Sequence, residues 1–235
     1  MPQCHSTNSL AAELMRNKDL AEGTIVITDD QTAGRGQRGN SWESEPSMNL
    51  TFSIILKPSF LPASDQFFLT MVISLALREF LALRIPEEAK IKWPNDILVG
   101  DSKICGILIE NLLRVDTIQH SIVGIGLNVN QRSFSMAGPT SMSLVADYHF
   151  DRACELNLLL EKLEGYYLKL RTGKKELLRQ EYLDHLYWKG ERHEFRLRDE
   201  QFNGIISGVD DNGRLSIFRN GEKISVGLKE IGFVR

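Results

Sequence analysis

Between Ile91 and Asn111 the sequence reads I-K-W-P-N-D-I-L-V-G-D-S-K-I-C-G-I-L-I-E-N, two apolar strand-like runs enclosing a cluster of polar side chains. Proline at position 94 fixes its own φ and pushes Trp93 into an extended conformation. A strand entering at Ile91 must therefore stop there and present Asn95 and Asp96 on a bend. Ile97 to Val99 returns to a β pattern, Gly100-Asp101-Ser102 is a turn, and Lys103 opens a strand in which Gly106 lets another group approach the backbone closely. Lys92, Asn95, Asp96 and Lys103 can thus converge on one small anionic ligand, with Asp96 the acidic group for a metal ion. Taken alone, the same residues also fit a charged hairpin at a solvent edge.

A second cluster, Thr32-Ala33-Gly34-Arg35-Gly36-Gln37-Arg38-Gly39, follows the apolar run Thr24 to Thr28. Its glycines satisfy the spacing G-x-G-x-x-G, but a dinucleotide-binding turn must open a helix and find an acidic residue about 20 positions on. Here the next residues are N-S-W-E-S-E-P-S, without helical period, and then the strand-like Leu50 to Leu56. The segment is a loop whose backbone N–H groups and guanidinium groups suit wrapping a phosphate or carboxylate.

The elements that must carry these clusters form an α+β pattern. Ser9 to Met15 predicts a short helix, Thr24 to Thr28 and Leu50 to Leu56 strands, and Ser64 an N-cap for a helix running to about Leu83 before Pro86. Lys90 to Trp93, Ile97 to Val99, Ile104 to Glu110 and Gln119 to Asn128 are strands joined so briefly that they must be antiparallel neighbours. Helical patterns follow at Ala153 to Leu170 and Lys174 to Trp188, where Leu177, Leu178, Tyr182, Leu183 and Leu186 form a core-facing stripe. The segment from Gln131 to Asp151 reads as a second loop. After about Gly190 come short strands, Phe195 to Arg198, Phe202 to Ile206, Leu215 to Phe218 and Ile224 to Val226, with hairpin signals at Asp211-Asn212-Gly213 and Asn220-Gly221. Such strands need one another, so a small separate β-barrel is expected there. The boundary falls between residues 188 and 189.

Composition bounds the function. A chain of 235 residues that is 42% hydrophobic can bury a proper core. Its net charge of -3 and lack of a basic stripe argue against broad DNA binding. Cys4, Cys105 and Cys154 fit neither a disulfide framework nor a zinc pattern, which implies a reducing, cytoplasmic setting. The longest apolar stretch, Phe67 to Leu83, is interrupted by Thr70, Ser74, Arg78 and Glu79, so it predicts a core helix, no membrane span and a soluble protein.

Both clusters in this order resemble the catalytic core of biotin protein ligases. The resemblance rests on Ser6-Thr7-Asn8, Gln31, Gly34-Arg35-Gly36 with Arg38-Gly39, Trp42, Lys92-Trp93-Pro94-Asn95-Asp96, Lys103 with Gly106, and Gly124-Ile125-Gly126-Leu127-Asn128, in the family's order and spacing. It implies a mixed or antiparallel sheet with helices, like the class II aminoacyl-tRNA synthetase core, in residues 1–188, and an SH3-like β domain in residues 189–235. It also implies formation of biotinyl-5'-AMP from biotin and ATP with Mg²⁺, then transfer of biotin to a lysine of a biotin carboxyl carrier domain. Ser6, Thr7, Gln31, Gly34, Arg35, Lys103, Gly106 and Gly124 are implied at biotin. Arg38, Trp42, Lys92, Asn95, Lys103 and Asn128 are implied at ATP or the adenylate, and Asp96 at Mg²⁺. Lys103, Arg35 and Asp96 are the catalytic candidates, with Asp96 also a candidate proton acceptor in the transfer step. Gln37 stands where the family often has arginine and Asn40 where another basic residue is frequent, which implies a looser hold on the adenylate. A lipoate or octanoyl transferase is the alternative reading. A DNA-binding biotin sensor is disfavoured because the sequence begins so close to Ser6, and a homodimer through a sheet edge stays open.

Overall fold

The computed structural model describes residues 1–228 and 230–234, with the side chain of Arg38 outside the description. The chain runs β1 (Gln3–Cys4), α1 (Thr7–Asn17), β2 (Ile25–Thr28), β3 (Asp30–Gln31), β4 (Leu50–Leu56), α2 (Phe67–Ala82), β5 (Ala89–Lys92), β6 (Asp96–Val99), β7 (Ser102–Arg114) and β8 (Thr117–Leu127). There follow α3 (Met142–Ala146), α4 (Arg152–Arg171), α5 (Lys175–Asp184), β9 (Arg192–Leu197), β10 (Glu200–Val209), β11 (Leu215–Arg219), β12 (Glu222–Val226) and β13 (Ile231–Phe233). The main sheet has six strands in the order β2-β4-β8-β7-β6-β5, antiparallel throughout. A second antiparallel sheet of five strands, β12-β11-β10-β9-β13, is formed by the last part of the chain, in agreement with the expected small SH3-like unit.

The alternation of β4 explains how one sheet serves two purposes. Successive side chains point to opposite faces. Leu50, Phe52, Ile54 and Leu56 enter the large core with α2, whereas Ile55 packs with Ala11, Val26 and Ile122 under α1. Thr51 and Ser53, of the same parity as Ile55, therefore face the α1 side. Helix α2 is apolar nearly all round because it lies between the sheet and α4. Among the described residues no helix is long and apolar enough to cross a membrane.

Three expectations need correction. The helix expected over Lys174 to Trp188 stops at Asp184, and Leu177 of its core-facing stripe is exposed. Ser64 does not cap α2: the helix begins at Phe67, its cap position is Gln66 without a side-chain bond, and Ser64 lies in a preceding 3₁₀ turn. The loop after Gln131 contains α3, capped by the Ser141 hydroxyl accepting from the Leu144 N–H at 3.2 Å. A helix of five residues is too short to show a period. The outer edge of β5 is covered by the chain at residues 185–187, through Ile91 N–H to the His185 carbonyl and Tyr187 N–H to the Ile91 carbonyl. Trp93 is buried and its indole donates to the Gly213 carbonyl at 2.9 Å, tying the K-W-P-N-D turn to the β10–β11 hairpin.

Candidate functional site

Strand register assembles the site. Thr51 lies opposite Gly126, Gly126 opposite Gly106, and Gly106 opposite Asp96, so one rung crosses β4, β8, β7 and β6. The next rung is Ser53, Gly124 and Leu108. Directly opposed residues share a face, so the glycines lie where side chains would otherwise fill the α1 side. Their absence opens a floor: a Cβ on Gly124 would come within 2.3 Å of Asn8 Oδ1, and one on Gly126 within 2.3 Å of the Trp42 indole. Above this floor is a cavity of about 810 Å³. Of the candidate residues it is lined by Ser6, Thr7, Gln31, Arg35, Trp42, Lys92, Asn95, Asp96, Lys103, Gly106 and Gly124. Gly34 and Asn128 stand outside its lining, and the side chain of Arg38 lies outside the described residues.

One end of the cavity is a closed polar network. Ser6 occupies the N-cap position of α1 but its hydroxyl makes no bond to the helix. The Gln31 carboxamide oxygen does that work instead, accepting from the Thr7 N–H at 2.8 Å and from the Thr7 hydroxyl at 3.2 Å. The buried Ser53 hydroxyl donates to Asn8 Oδ1 at 2.6 Å and lies 2.8 Å from Thr7 Oγ1. Asn8 passes the chain on, donating to Glu110 Oε2 at 2.9 Å and to the Leu108 carbonyl at 3.3 Å. Glu110 then receives both terminal nitrogens of Arg35, at 2.7 and 3.3 Å.

The other end is built around an ion pair. Lys103 Nζ sits 2.6 Å from Asp96 Oδ1, with both side chains partly exposed to the cavity, and 5.5 Å from the Trp42 ring centroid. Its strand is gripped by the second loop: Lys103 N–H donates to the Gly138 carbonyl and Thr140 N–H to the Lys103 carbonyl, both at 2.9 Å. Asn128 supports that loop from behind, donating to the Thr140 carbonyl at 2.9 Å. Lys92 lies 4.9 Å from the centroid of Phe233, and β13 closes this side. Asn95 is held by the Ile107 carbonyl. Among the described residues, Trp42 Nε1, Thr51 Oγ1 and Asn128 Oδ1 are buried here without hydrogen-bond partners. Cys105 lies two residues after Lys103, but full burial pushes its thiol far above the ordinary range, which disfavours the thiolate at neutral pH.

The sequence reading missed Ser53, Thr51, Glu110 and β13. The first three were within reach, because Thr51 and Ser53 alternate with apolar residues on β4, and Glu110 shares the parity of Gly106 on β7. Phe233 offered only an isolated aromatic near the end of the sequence.

Comparison with known proteins adds the following. The sequence model of the biotin/lipoate A/B protein ligase family matches residues 1–128. The chain is 32% identical over 220 residues to the bifunctional ligase/repressor BirA of Bacillus subtilis, covering 92% of this chain and 67% of that protein. It is 29% identical over 240 residues to the biotin–acetyl-CoA-carboxylase ligase of Mycobacterium tuberculosis, covering 99% and 87% of the two. In structure it is similar to the biotin protein ligase of Aquifex aeolicus in complex with biotin and ATP, with a TM-score of 0.82, 25% identity, and coverage of 100% and 97%.

Proposed function

The chain belongs to the biotin/lipoate A/B protein ligase family, and from that premise we propose that it is an ATP-dependent biotin protein ligase, forming biotinyl-5'-AMP and passing biotin to a lysine of a biotin carboxyl carrier domain. The observation that carries this reading is a single cavity with a network of hydroxyls and amides at one end and the Lys103–Asp96 pair at the other. A ureido ring offers donors and an acceptor together, and a buried polar ring must be paired on all of them. Ser6, Thr7 and Gln31 line the cavity and provide that mixture, with the buried Ser53 hydroxyl bonded to Asn8 and beside Thr7 behind them. The glycine floor leaves room for a ring system and its chain.

The chemistry needs cations more than bases. The biotin carboxylate is already ionised, so the work is to hold two anions in line while negative charge moves to pyrophosphate. Lys103 bridges the carboxylate and the α-phosphate, exchanging its contact with Asp96 for the substrates. Lys92 and Asn95 face the triphosphate from the K-W-P-N-D turn. Arg35 and Arg38 supply donors from the loop, Gly34 lets its backbone run close to that of Trp42, and Asn128 sets the second loop. Asp96 fits Mg²⁺ as a single carboxylate among phosphate oxygens and waters; no cluster of three or more His, Cys, Asp or Glu among the described residues forms a closed cage. Bound there, the ion would neutralise charge on the departing pyrophosphate. After adenylation Asp96 is placed to accept the proton of the incoming lysine. We place the catalytic domain in residues 1–188 and the SH3-like domain in residues 189–235, joined by one continuous apolar core.

Mass spectrometry of the protein after incubation with biotin and Mg-ATP tests the reading, followed by addition of a carrier domain. The expected result is retained biotinyl-adenylate and a biotinylated carrier lysine. Adenylation of lipoate in preference to biotin, or no adenylate with either acid, overturns it.

A further inference from the structure

Glu110 carries no role in the reaction described above, yet it is the junction of the loop, α1 and the sheet. Both of its oxygens are occupied by Arg35, and one of them also accepts from Asn8. Asn8 is itself immobilised: it is buried, bonded to Ser53, and its Oδ1 fills the space above Gly124. A carboxylate so held on β7 is a fixed anchor for the otherwise adaptable loop that carries Arg35. Arg35 lines the cavity, and Ser9 Oγ lies 3.4 Å from its Nη1. A guanidinium has five N–H donors in a rigid fork, so a bidentate carboxylate on one side decides where the remaining donors aim. The loop's own bonds transmit that placement, because Gly34 and Trp42 pair through Trp42 N–H to the Gly34 carbonyl at 2.9 Å, and Arg35 bridges Ser41.

We propose that Glu110 is a positioning residue for ligand binding: it aims Arg35 into the cavity and fixes the root of the Gly34–Trp42 loop, with Asn8 holding the carboxylate. The inference rests on the ligase reading and goes beyond it in assigning this residue. The pair is half exposed, at 48% for Arg35 and 36% for Glu110, so it adds little to folding stability. Its effect falls on the ligand. A competing role, in which Glu110 merely occupies Arg35 until substrate displaces it, predicts the opposite sign.

The test uses the full chain, biotin and Mg-ATP, with Glu110→Gln, Glu110→Asp, Arg35→Ala and the double variant Glu110→Gln/Arg35→Ala. Wild-type adenylate formation is measured first, and its absence would condemn the ligase reading separately. Glu110→Gln is expected to raise the KM for biotin by about tenfold while kcat for pyrophosphate release changes less than about threefold and Tm stays within about 1 °C, the pattern of a lost oriented hydrogen bond. Arg35→Ala should raise the KM for biotin at least as far and slow pyrophosphate release as well, adding Glu110→Gln to it in the double variant should cost nothing more, and Glu110→Asp should recover part of the loss of Glu110→Gln. A lowered KM in Glu110→Gln, additive effects in the double variant, or a large fall in Tm with KM unchanged would each overturn the proposal.

Discussion

The two ends of the cavity differ in how their polar groups stand before any ligand arrives. At the end formed by Thr7, Asn8, Gln31 and Ser53, the polar groups are bonded to one another across α1, β3, β4 and β7. At the other end Trp42 Nε1, Thr51 Oγ1 and Asn128 Oδ1 are buried without partners among the described residues, and Lys103 and Asp96 pair with each other beside an aromatic ring. The first end is a preformed template, whose binding exchanges one satisfied set of hydrogen bonds for another. The second is completed by what binds, since buried donors and acceptors without partners are costly until a ligand satisfies them. On the proposed reading, recognition of the ring belongs to rigid elements, and chemistry to a pair of charges that changes partners.

Lys103→Ala probes the reactive end most severely. Removing a charge-stabilising group should slow adenylate formation by about 100-fold or more, and because Lys103 is partly exposed at a strand start, Tm should move by no more than about 1–2 °C. Near-wild-type pyrophosphate release would take Lys103 out of the reaction.

A paired experiment on the floor sharpens the contrast. Gly124→Ala pushes a methyl into Asn8, which is buried and bonded on both sides, so overpacking of roughly 1–3 kcal/mol should lower Tm as well as activity. Gly126→Ala meets the Trp42 indole, which sits on a loop and can withdraw, so it should weaken ligand binding by about tenfold with Tm nearly unchanged. Equal melting losses for the two variants would erase the distinction between template and adaptable end. Ser53→Ala leaves Asn8 Oδ1 without its donor; it should raise the KM for biotin by roughly five- to tenfold, about 1 kcal/mol for one hydrogen bond, with adenylation kcat retained. A drop in kcat alone would move Ser53 into the reactive machinery.

The smallest effect belongs to Gln37. A guanidinium closes over a phosphate with charge-assisted hydrogen bonds that a neutral amide cannot match. Gln37→Arg should lengthen the residence of biotinyl-adenylate by about two- to fivefold, read as slower loss of labelled complex after dilution. An unchanged or shortened residence would show that the loop's grip does not depend on this position.

Much of this architecture was legible beforehand, and for a definite reason. Leu50 to Leu56 is a strand over its whole predicted length because apolar residues recur at every second position, and the antiparallel neighbours from Ala89 to Leu127 follow from connections too short for any other arrangement. Local chemistry misled only where a competing arrangement won. Ser64 is a sound capping residue in isolation, but a 3₁₀ turn after Pro62 carries the chain past it before α2 begins.

By itself the sequence determined which residues are available and on which face each strand places them, since a period of two is a property of the extended chain. It determined that Lys103 and Asp96 would lie close, because a short hairpin separates them. Only tertiary structure decided that Gln31 would cap a helix 24 positions before it in the sequence, that Glu110 would receive an arginine 75 positions away, and that β13 would close the cavity. Hydrogen bonds and ion pairs act over a few ångströms and carry no record of sequence separation. Which distant partners meet is settled by register and packing, after burial of the apolar core has fixed the frame.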